Sequence, residues 1–226
     1  MSYGFFARGV NGQMIIDDAH YVYHVLFKSS YTIEANTTNA VTITFPQAVR
    51  TQEPPHVYVS IGQGGLGSFL LTGSEGNWTG FTLRPDIVGA RITYRYFVCT
   101  YTPSPSADQY GMRIYNASGQ LIFDSGYTGV IFLYATRNYV RTDVQGTQFT
   151  WTTAESYAVN PNAYFFANTW LGMVPEGVGQ GNTSAANFAR PRATSFTYYL
   201  QIQAFSSTPD PYLVWPVIYA IPSDEL

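Results

Sequence analysis

Hydrophobic and polar side chains alternate over many short stretches of this 226-residue chain. A period of two places alternate side chains on opposite faces of a β-strand. The clearest stretch is Ala40 to Phe45, where apolar residues alternate with threonines before Pro46 ends the pattern. No segment has the apolar spacing of a helix. The pattern predicts strands at 21–33, 40–46, 56–62, 68–73, 78–84 and 90–101 in the first half, and at 129–140, 147–153, 163–170, 194–205 and 212–221 in the second.

One segment of the chain occurs twice. Residues 3–18 align without a gap with residues 110–125, at an offset of 107 residues, and six of the sixteen positions are identical. A period of this length is that of a domain rather than of a solenoid repeat. The identical pairs are Tyr3/Tyr110, Gly4/Gly111, Gly12/Gly119, Gln13/Gln120, Ile15/Ile122 and Asp17/Asp124.

The repeated segment predicts a β-hairpin. Asn11-Gly12 and Ser118-Gly119 are turn sequences, because glycine readily adopts positive φ. The predicted register places Tyr115 opposite Gln120, Ile114 opposite Leu121 and Met112 opposite Phe123. In the first copy it places Ala7 opposite Met14 and Phe5 opposite Ile16. Asp17 and Asp124 close the second strand, where we expect them to cap a turn or accept local backbone hydrogen bonds.

The offset of 107 residues is about half the chain, which indicates two copies of one unit. The segment Thr102–Ser106 is rich in proline and serine and is typical of a linker. Many short strands separated by turn residues are typical of β-sandwiches. The sequence therefore predicts an all-β protein with two tandem antiparallel β-sandwich-like domains, residues 1–103 and 104–226, which arose by internal duplication.

The composition excludes several classes of protein. Charged residues make up only 11% of the chain and the formal net charge is −3, which argues against coiled coils and against a nucleic-acid binder. The single cysteine, Cys99, permits no disulfide within the chain and is expected to be a buried small hydrophobe. We find no signal peptide and no apolar run long enough for a membrane helix, so synthesis in a cytoplasm without membrane insertion is expected.

The sequence offers little catalytic chemistry. His20 and His24 lie about 13 Å apart if they belong to a strand, too far to share a metal ion, so surface or core positions are expected for them. The chain contains neither the Gly-x-Ser-x-Gly elbow of serine hydrolases nor a phosphate-binding glycine loop. We predict a protein that is not an enzyme, with no catalytic residues, no cofactor and no metal. The alternative of an envelope polysaccharide depolymerase would depend on acids such as Glu75, Asp86 or Glu176.

Binding is better supported than catalysis. Carbohydrates are commonly held by aromatic faces next to amide and acidic groups, and Asn77, Trp78 and Trp170 lie in segments of that composition. Tryptophan in a strand more often packs in a core. Sequence alone leaves both interpretations open, so these three residues are candidates for glycan binding.

The repeated motif resembles the opening of small bacteriophage and prophage tail proteins. In both copies Tyr-Gly is followed by a turn glycine, hydrophobic positions and an aspartate, and Ser2 precedes the first copy, as in that family. The first copy departs from the family at Gly9, where the family has Asn. The resemblance implies a virion protein of the tail tip, baseplate or fibre. It supplies no catalytic residues.

The resemblance also implies the partners. We expect other phage tail proteins, further copies of this chain in a homo-oligomer such as a trimer, and a host surface polysaccharide or another receptor, but no nucleic acid. The expected location is the virion tail, after synthesis in the host cytoplasm. The expected function is structural or adhesive, contributing to attachment to the host surface. The alternatives are a free carbohydrate-binding module or lectin and, third, the depolymerase.

Overall fold

A computed structural model of the chain describes residues 6–8, 14–17, 20–35, 40–61, 65–86, 91–136, 138–145, 148–153, 163–168, 188–194, 197–205 and 217–226. Within these residues it contains seventeen strands and one 3₁₀ turn, Ser223–Glu225. Every strand pairing is antiparallel. The predicted all-β class is therefore confirmed.

The strands have the following bounds. In the first half they are β1 Phe6–Arg8, β2 Met14–Asp17, β3 His24–Ile33, β4 Val41–Val49, β5 His56–Ile61, β6 Gly65–Ser74, β7 Asn77–Asp86 and β8 Ile92–Thr100. In the second half they are β9 Arg113–Tyr115, β10 Leu121–Asp124, β11 Thr128–Thr136, β12 Tyr139–Gln145, β13 Gln148–Thr153, β14 Tyr164–Phe166, β15 Phe188–Thr194, β16 Thr197–Phe205 and β17 Val217–Pro222.

Several predicted strands differ from the observed ones. The predicted strand 129–140 is divided between β11 and β12. The predicted strand 194–205 corresponds to β16, and the preceding strand β15 was not predicted except for its last residue, Thr194. The predicted strand 163–170 is cut short because the side chain of Asn168 takes over the backbone pairing. Its Oδ1 accepts the N–H of Val57 at 2.7 Å, and its Nδ2 donates to the carbonyl of Pro55 at 2.8 Å.

Six strands form a closed barrel, in the order β11-β17-β14-β5-β8-β3. Closure depends on a short pairing between β11 and β3, which places Thr128 opposite Val25 and Gly129 opposite His24. Seven further strands form a sheet in the order β12-β13-β16-β15-β6-β7-β4. We call it the flat sheet only to distinguish it from the closed barrel. The two remaining pairs, β1-β2 and β9-β10, are separate hairpins.

Both large sheets contain strands from both halves of the chain. The barrel joins β3-β8-β5 from the first half to β11-β17-β14 from the second, and the flat sheet joins β4-β7-β6 to β15-β16-β13. In chain order, the strands of the second half thus correspond to those of the first: β11, β17 and β14 to β3, β8 and β5 in the barrel, and β13, β16 and β15 to β4, β7 and β6 in the sheet. The strand β12 is an additional edge strand of the sheet. The predicted boundary at 103/104 falls between β8 and β9, but it does not separate two sets of sheets, because β3 pairs with β11, β5 with β14 and β6 with β15.

The two hairpins pair in the same way. In β1-β2, Phe6 lies opposite Asp17, Ala7 opposite Ile16 and Arg8 opposite Met14. In β9-β10, each of these pairs recurs 107 residues later, as Arg113 with Asp124, Ile114 with Phe123 and Tyr115 with Leu121. Tandem duplication would produce such a correspondence, and duplication itself stays a prediction.

The predicted hairpin register is wrong by one residue or more. Asn116, rather than Tyr115, pairs with Gln120, because the Oδ1 of Asn116 accepts the N–H groups of Ser118 and Gln120, both at 2.9 Å. A bulge at Ile122 shifts the register once more. The bulge allows the adjacent Leu121 and Ile122 both to be buried, which strict alternation forbids.

The main core lies between the barrel and the flat sheet. Val57, Val59 and Tyr94 of the barrel belong to the same buried cluster as Phe69 and Phe81 of the sheet. The first half alone therefore forms a sandwich, in which β3-β8-β5 packs on β4-β7-β6. This packing agrees with a sandwich-like unit, although its sheets continue into the second half.

Gly80 on β7 lies close against the backbone of β4. A Cβ at this position would meet the backbone carbonyl of Ile43. We expect Gly80→Ala to lower the free energy of unfolding by about 2 kcal/mol, because a backbone group cannot move aside as a side-chain tip can. Urea titration measures this loss. Gly119→Ala is the control, since no atom lies within 4 Å of its new Cβ and only the strain of φ +78° is added; an equal loss in both variants would contradict the prediction.

Candidate functional site

A continuous series of aromatic rings lies on the face of the barrel strands opposite the main core. Alternation along β8 explains the arrangement: Tyr96 and Val98 face the flat sheet, whereas Phe97 and Cys99 belong to the second cluster. We call this series the aromatic column. Its members, in order of contact, are Tyr164, Phe97, Tyr58, Phe166, His56 and Tyr23.

Successive rings in the aromatic column are in contact. Phe97 and Tyr58 stack with centroids 4.8 Å apart, and Phe97 meets the Tyr164 ring edge-on at 5.0 Å. Phe166 lies 5.2 Å from Tyr58 and 4.9 Å from His56. Offset and edge-on pairs at these separations are favourable beyond the area they bury. On this face of the barrel strands, the side chains of the column therefore form a continuous series of packed rings.

Cys99 is buried beside this column, as predicted. Burial raises the pKa of the Cys99 thiol well above its usual value. Since the thiolate is the nucleophilic form, a buried and protonated Cys99 is a packing residue.

One end of the column reaches solvent as a cluster that we call the aromatic patch. Tyr23 directly precedes β3, His56 begins β5 and Tyr101 directly follows β8, so antiparallel pairing brings them to one end of the barrel. Tyr23 contacts His56 at 5.1 Å, Tyr101 at 5.8 Å and Phe132 at 5.6 Å between centroids. Tyr21 completes the patch by contacting Tyr101 at 5.6 Å.

The aromatic patch is exposed and uncharged. Phe132 is 50% exposed and Tyr21 39% exposed. Burial lowers the pKa of His56, so its imidazole is neutral near pH 7. The hydroxyl of Tyr21 donates to Oε1 of Gln120 at 2.6 Å, which ties the patch to the β9-β10 turn. Aromatic faces with polar edges are suited to contact sugars or protein surfaces.

The other end of the column opens into a shallow depression of about 610 Å³. We call it the charged depression; it is lined by Lys28, Ser29, Ser30, Arg95, Tyr164 and Glu225. Nζ of Lys28 lies 2.7 Å from Oδ2 of Asp224 and 3.1 Å from Oε1 of Glu225. The hydroxyl of Tyr164 donates to Oε2 of Glu225 at 3.0 Å. Burial and this hydrogen bond raise the pKa of Tyr164 to about 12.

The β9-β10 hairpin docks on the barrel through a buried polar network. The Asp124 carboxylate accepts hydrogen bonds from the N–H and hydroxyl of Ser106, the N–H of Gly126 and Nε of Arg113, at 2.8 to 3.1 Å. Burial alone would raise the pKa of Asp124, but these donors outweigh burial and lower it to about 2. The Asp124 N–H donates to Nε2 of His24 at 3.0 Å and so links the hairpin to β3.

His24 makes the docking sensitive to pH. Burial lowers the pKa of His24, although the Val22 carbonyl and the Asp124 carboxylate act in the opposite direction. An unfolded histidine, with a pKa of about 6.5, then binds protons more readily than the folded one. We expect stability to be constant above about pH 6.5 and to fall as the pH drops towards the folded pKa. His24→Gln should reduce that slope in urea titrations between pH 8 and pH 5, and an unchanged slope in this variant would refute the prediction.

Two of the candidates for glycan binding, Asn77 and Trp78, have structural partners. The indole N–H of Trp78 donates to the Thr51 carbonyl at 3.1 Å, and its ring packs partly buried against the main core. Oδ1 of Asn77 accepts from Nη1 of Arg50 at 2.6 Å. These contacts tie the β6-β7 turn to the end of β4. Trp170 lies outside the described residues.

The repeated-motif residues are distributed as follows. Tyr110 is 91% exposed, and Gly111 and Gly119 have φ of +134° and +78°. Asp17 ends β2. Tyr3, Gly4 and Gly12 lie outside the described residues.

Sequence reasoning missed both ends of the aromatic column. His56, Tyr58 and Phe97 were visible as aromatic positions within predicted strands, but which face of each strand they share depends on pairings between distant segments. In the described part of the chain, no three His, Cys, Asp or Glu side chains could jointly hold a metal ion. Among these same residues, no helix is long and apolar enough to cross a membrane.

A scan against models of protein families and searches of curated proteins and of solved structures find no match to this chain.

Proposed function

We propose that this protein is a structural and adhesive component of a bacteriophage tail, in the tip, baseplate or fibre, and that it contributes to attachment to the host cell. The observation that carries the proposal is the aromatic patch. Five aromatic or imidazole rings converge at one end of a closed barrel, and two of them, Tyr21 and Phe132, are large and substantially exposed. Exposed apolar clusters of this kind are typical of interaction sites.

Two further features support a role in contact rather than turnover. The patch stands on the packed aromatic column, which holds its shape before any partner arrives, and a preformed surface loses less entropy on binding. The paired hairpins carry the motif that resembles phage tail proteins. We propose a homo-oligomer, with a trimer as the expected state, in contact with other tail proteins.

The proposal is tested on phage particles and on the purified chain. We expect the protein in purified virions, located at the distal part of the tail by cryo-electron microscopy, and we expect the purified chain to slow adsorption of the phage. The double variant Tyr21→Ser/Phe132→Ser should lose that competition. Tyr31→Ser is the matched control, because Tyr31 on β3 is 37% exposed, close to the 39% of Tyr21.

Two outcomes would count against the proposal. Absence of the protein from purified virions would remove the tail assignment. Equal competition by the wild type and the double variant would remove the patch as the contact surface. A free lectin, the second candidate, would bind sugars as an isolated chain through the same patch and be absent from particles.

A further inference from the structure

The charged depression brings together groups of both signs on one barrel face. β3 and β8 pair with Lys28 opposite Phe97 and Ser30 opposite Arg95. Directly opposite residues share a face, and so do residues two apart on a strand. Lys28, Ser30 and Arg95 are therefore neighbours on the face that carries the aromatic column, and Glu225 of the 3₁₀ turn lies beside them.

Arg95 is positioned by its surroundings. Its guanidinium carbon lies 5.3 Å from the centroid of the Tyr164 ring, and its Nη2 lies 3.4 Å from Oγ of Ser60. A guanidinium near the face of an aromatic ring is attracted to it electrostatically. The planar group presents paired N–H donors, whose spacing matches the two oxygens of a carboxylate.

The acidic side of the depression is equally well ordered. Glu225 is held between Nζ of Lys28 and the Tyr164 hydroxyl. A carboxylate retains acceptor sites after two such contacts, because its two oxygens offer about four lone-pair directions. Together with the Ser30 hydroxyl, it can receive and donate hydrogen bonds to a ligand rich in hydroxyl groups.

We infer that the charged depression binds a carboxylated sugar, with the sugar carboxylate on Arg95 and the ring hydroxyls on Glu225 and Ser30. The volume of about 610 Å³ is within the range of small-molecule sites. Attachment to the host cell, the function proposed above, is the setting in which this site acts. The depression adds selectivity for acidic sugars at the end of the barrel away from the aromatic patch.

The test measures binding of defined probes to the purified full-length chain. By ligand-observed NMR titration, sodium glucuronate should bind at least about tenfold more tightly than glucose, which lacks the carboxylate, and than acetate, which lacks the ring hydroxyls. Arg95→Gln should weaken glucuronate about tenfold or more, and Arg95→Lys should weaken it less, because a charge remains without the fork. Arg50→Gln, at an exposed arginine directly after β4, is the control and should bind like the wild type.

Thermal unfolding of each variant shows whether the fold is kept, and Glu225→Gln provides an independent second variant. Glu225→Gln should reduce the preference for glucuronate over acetate, because the ring hydroxyls lose their charged acceptor while the carboxylate site on Arg95 is kept. Equal binding of glucuronate and glucose, equal binding of glucuronate and acetate, or full binding by Arg95→Gln would each overturn the inference. These results do not depend on where the protein lies in the virion, so the site and the tail assignment can fail separately.

Discussion

Replacing Asp124 by alanine should lower the free energy of unfolding by about 2–3 kcal/mol. The Asp124 residue is only 2% exposed, and its carboxylate accepts four hydrogen bonds. Alanine would leave the N–H groups of Ser106 and Gly126 without their acceptor and would remove the carboxylate that faces Arg113. Part-buried donors that lose their acceptor account for most of such a loss.

Urea titration at pH 7 measures the effect. Asp108→Ala is the matched control: its side chain is exposed, and the contact that Arg113 makes with residue 108 is to the backbone carbonyl, which alanine retains. The control should change stability by less than about 0.5 kcal/mol. Similar losses in the two variants would mean that the network does not hold the hairpin.

The pH dependence of Asp124 provides a second readout. Its pKa is lowered from about 3.8 to about 2 by its hydrogen-bond donors. A lowered carboxyl pKa contributes stability that is complete above the unfolded pKa and is lost as the pH falls through the folded pKa. Asp124→Asn should therefore differ from the wild type most at neutral pH, and the difference should shrink between about pH 4 and pH 2.

Replacing Phe97 by alanine should also cost about 3–5 kcal/mol. Phe97 is fully buried at the centre of the aromatic column, where it contacts both Tyr58 and Tyr164. Removal of its ring leaves a cavity between two β-sheet-borne rings that cannot collapse without moving their strands. The lost transfer free energy and the cavity therefore add.

Phe132→Ala is the control for Phe97→Ala. Phe132 has the same side chain but is half exposed at the aromatic patch, so we expect a loss of less than about 1 kcal/mol. Guanidinium titration of both variants gives the comparison, and the slope of each titration reports whether the denatured state has changed. A loss at position 97 no larger than at position 132 would exclude the column as a major source of stability.

Local pattern was sufficient for some features of the fold. The alternation around Val41 and Ile43 predicted β4, and the apolar run before Cys99 predicted a buried cysteine; the structure confirms the strand and the burial, although β4 continues past Pro46 to Val49. These features depend on which side of one strand is apolar. That information is contained in neighbouring residues, because side chains alternate strictly along a strand.

The local sequence pattern did not predict which residues pair, even within a short hairpin. The repeated segment predicted two hairpins, and both are present, but Asn116 captured the turn backbone and a bulge placed Leu121 and Ile122 on the same side. A turn in which a side chain hydrogen-bonds to the nearby backbone and a regular turn differ by only a small free energy. The dipeptide Ser118-Gly119 therefore predicts a turn but not how many residues the turn contains.

The sequence by itself determined the all-β class, the two hairpins at an offset of 107 residues and the burial of Cys99, because each follows from contacts within a few residues. Only the tertiary structure decided that both halves share one barrel and one flat sheet, and that Arg95 meets Tyr164 at one barrel end while Tyr23 meets Phe132 at the other. Strands that lie far apart in the chain, such as β6 and β15 with Leu66 opposite Ala189, pair according to the total apolar surface that they bury together. That sum belongs to the whole chain and cannot be read from any one segment.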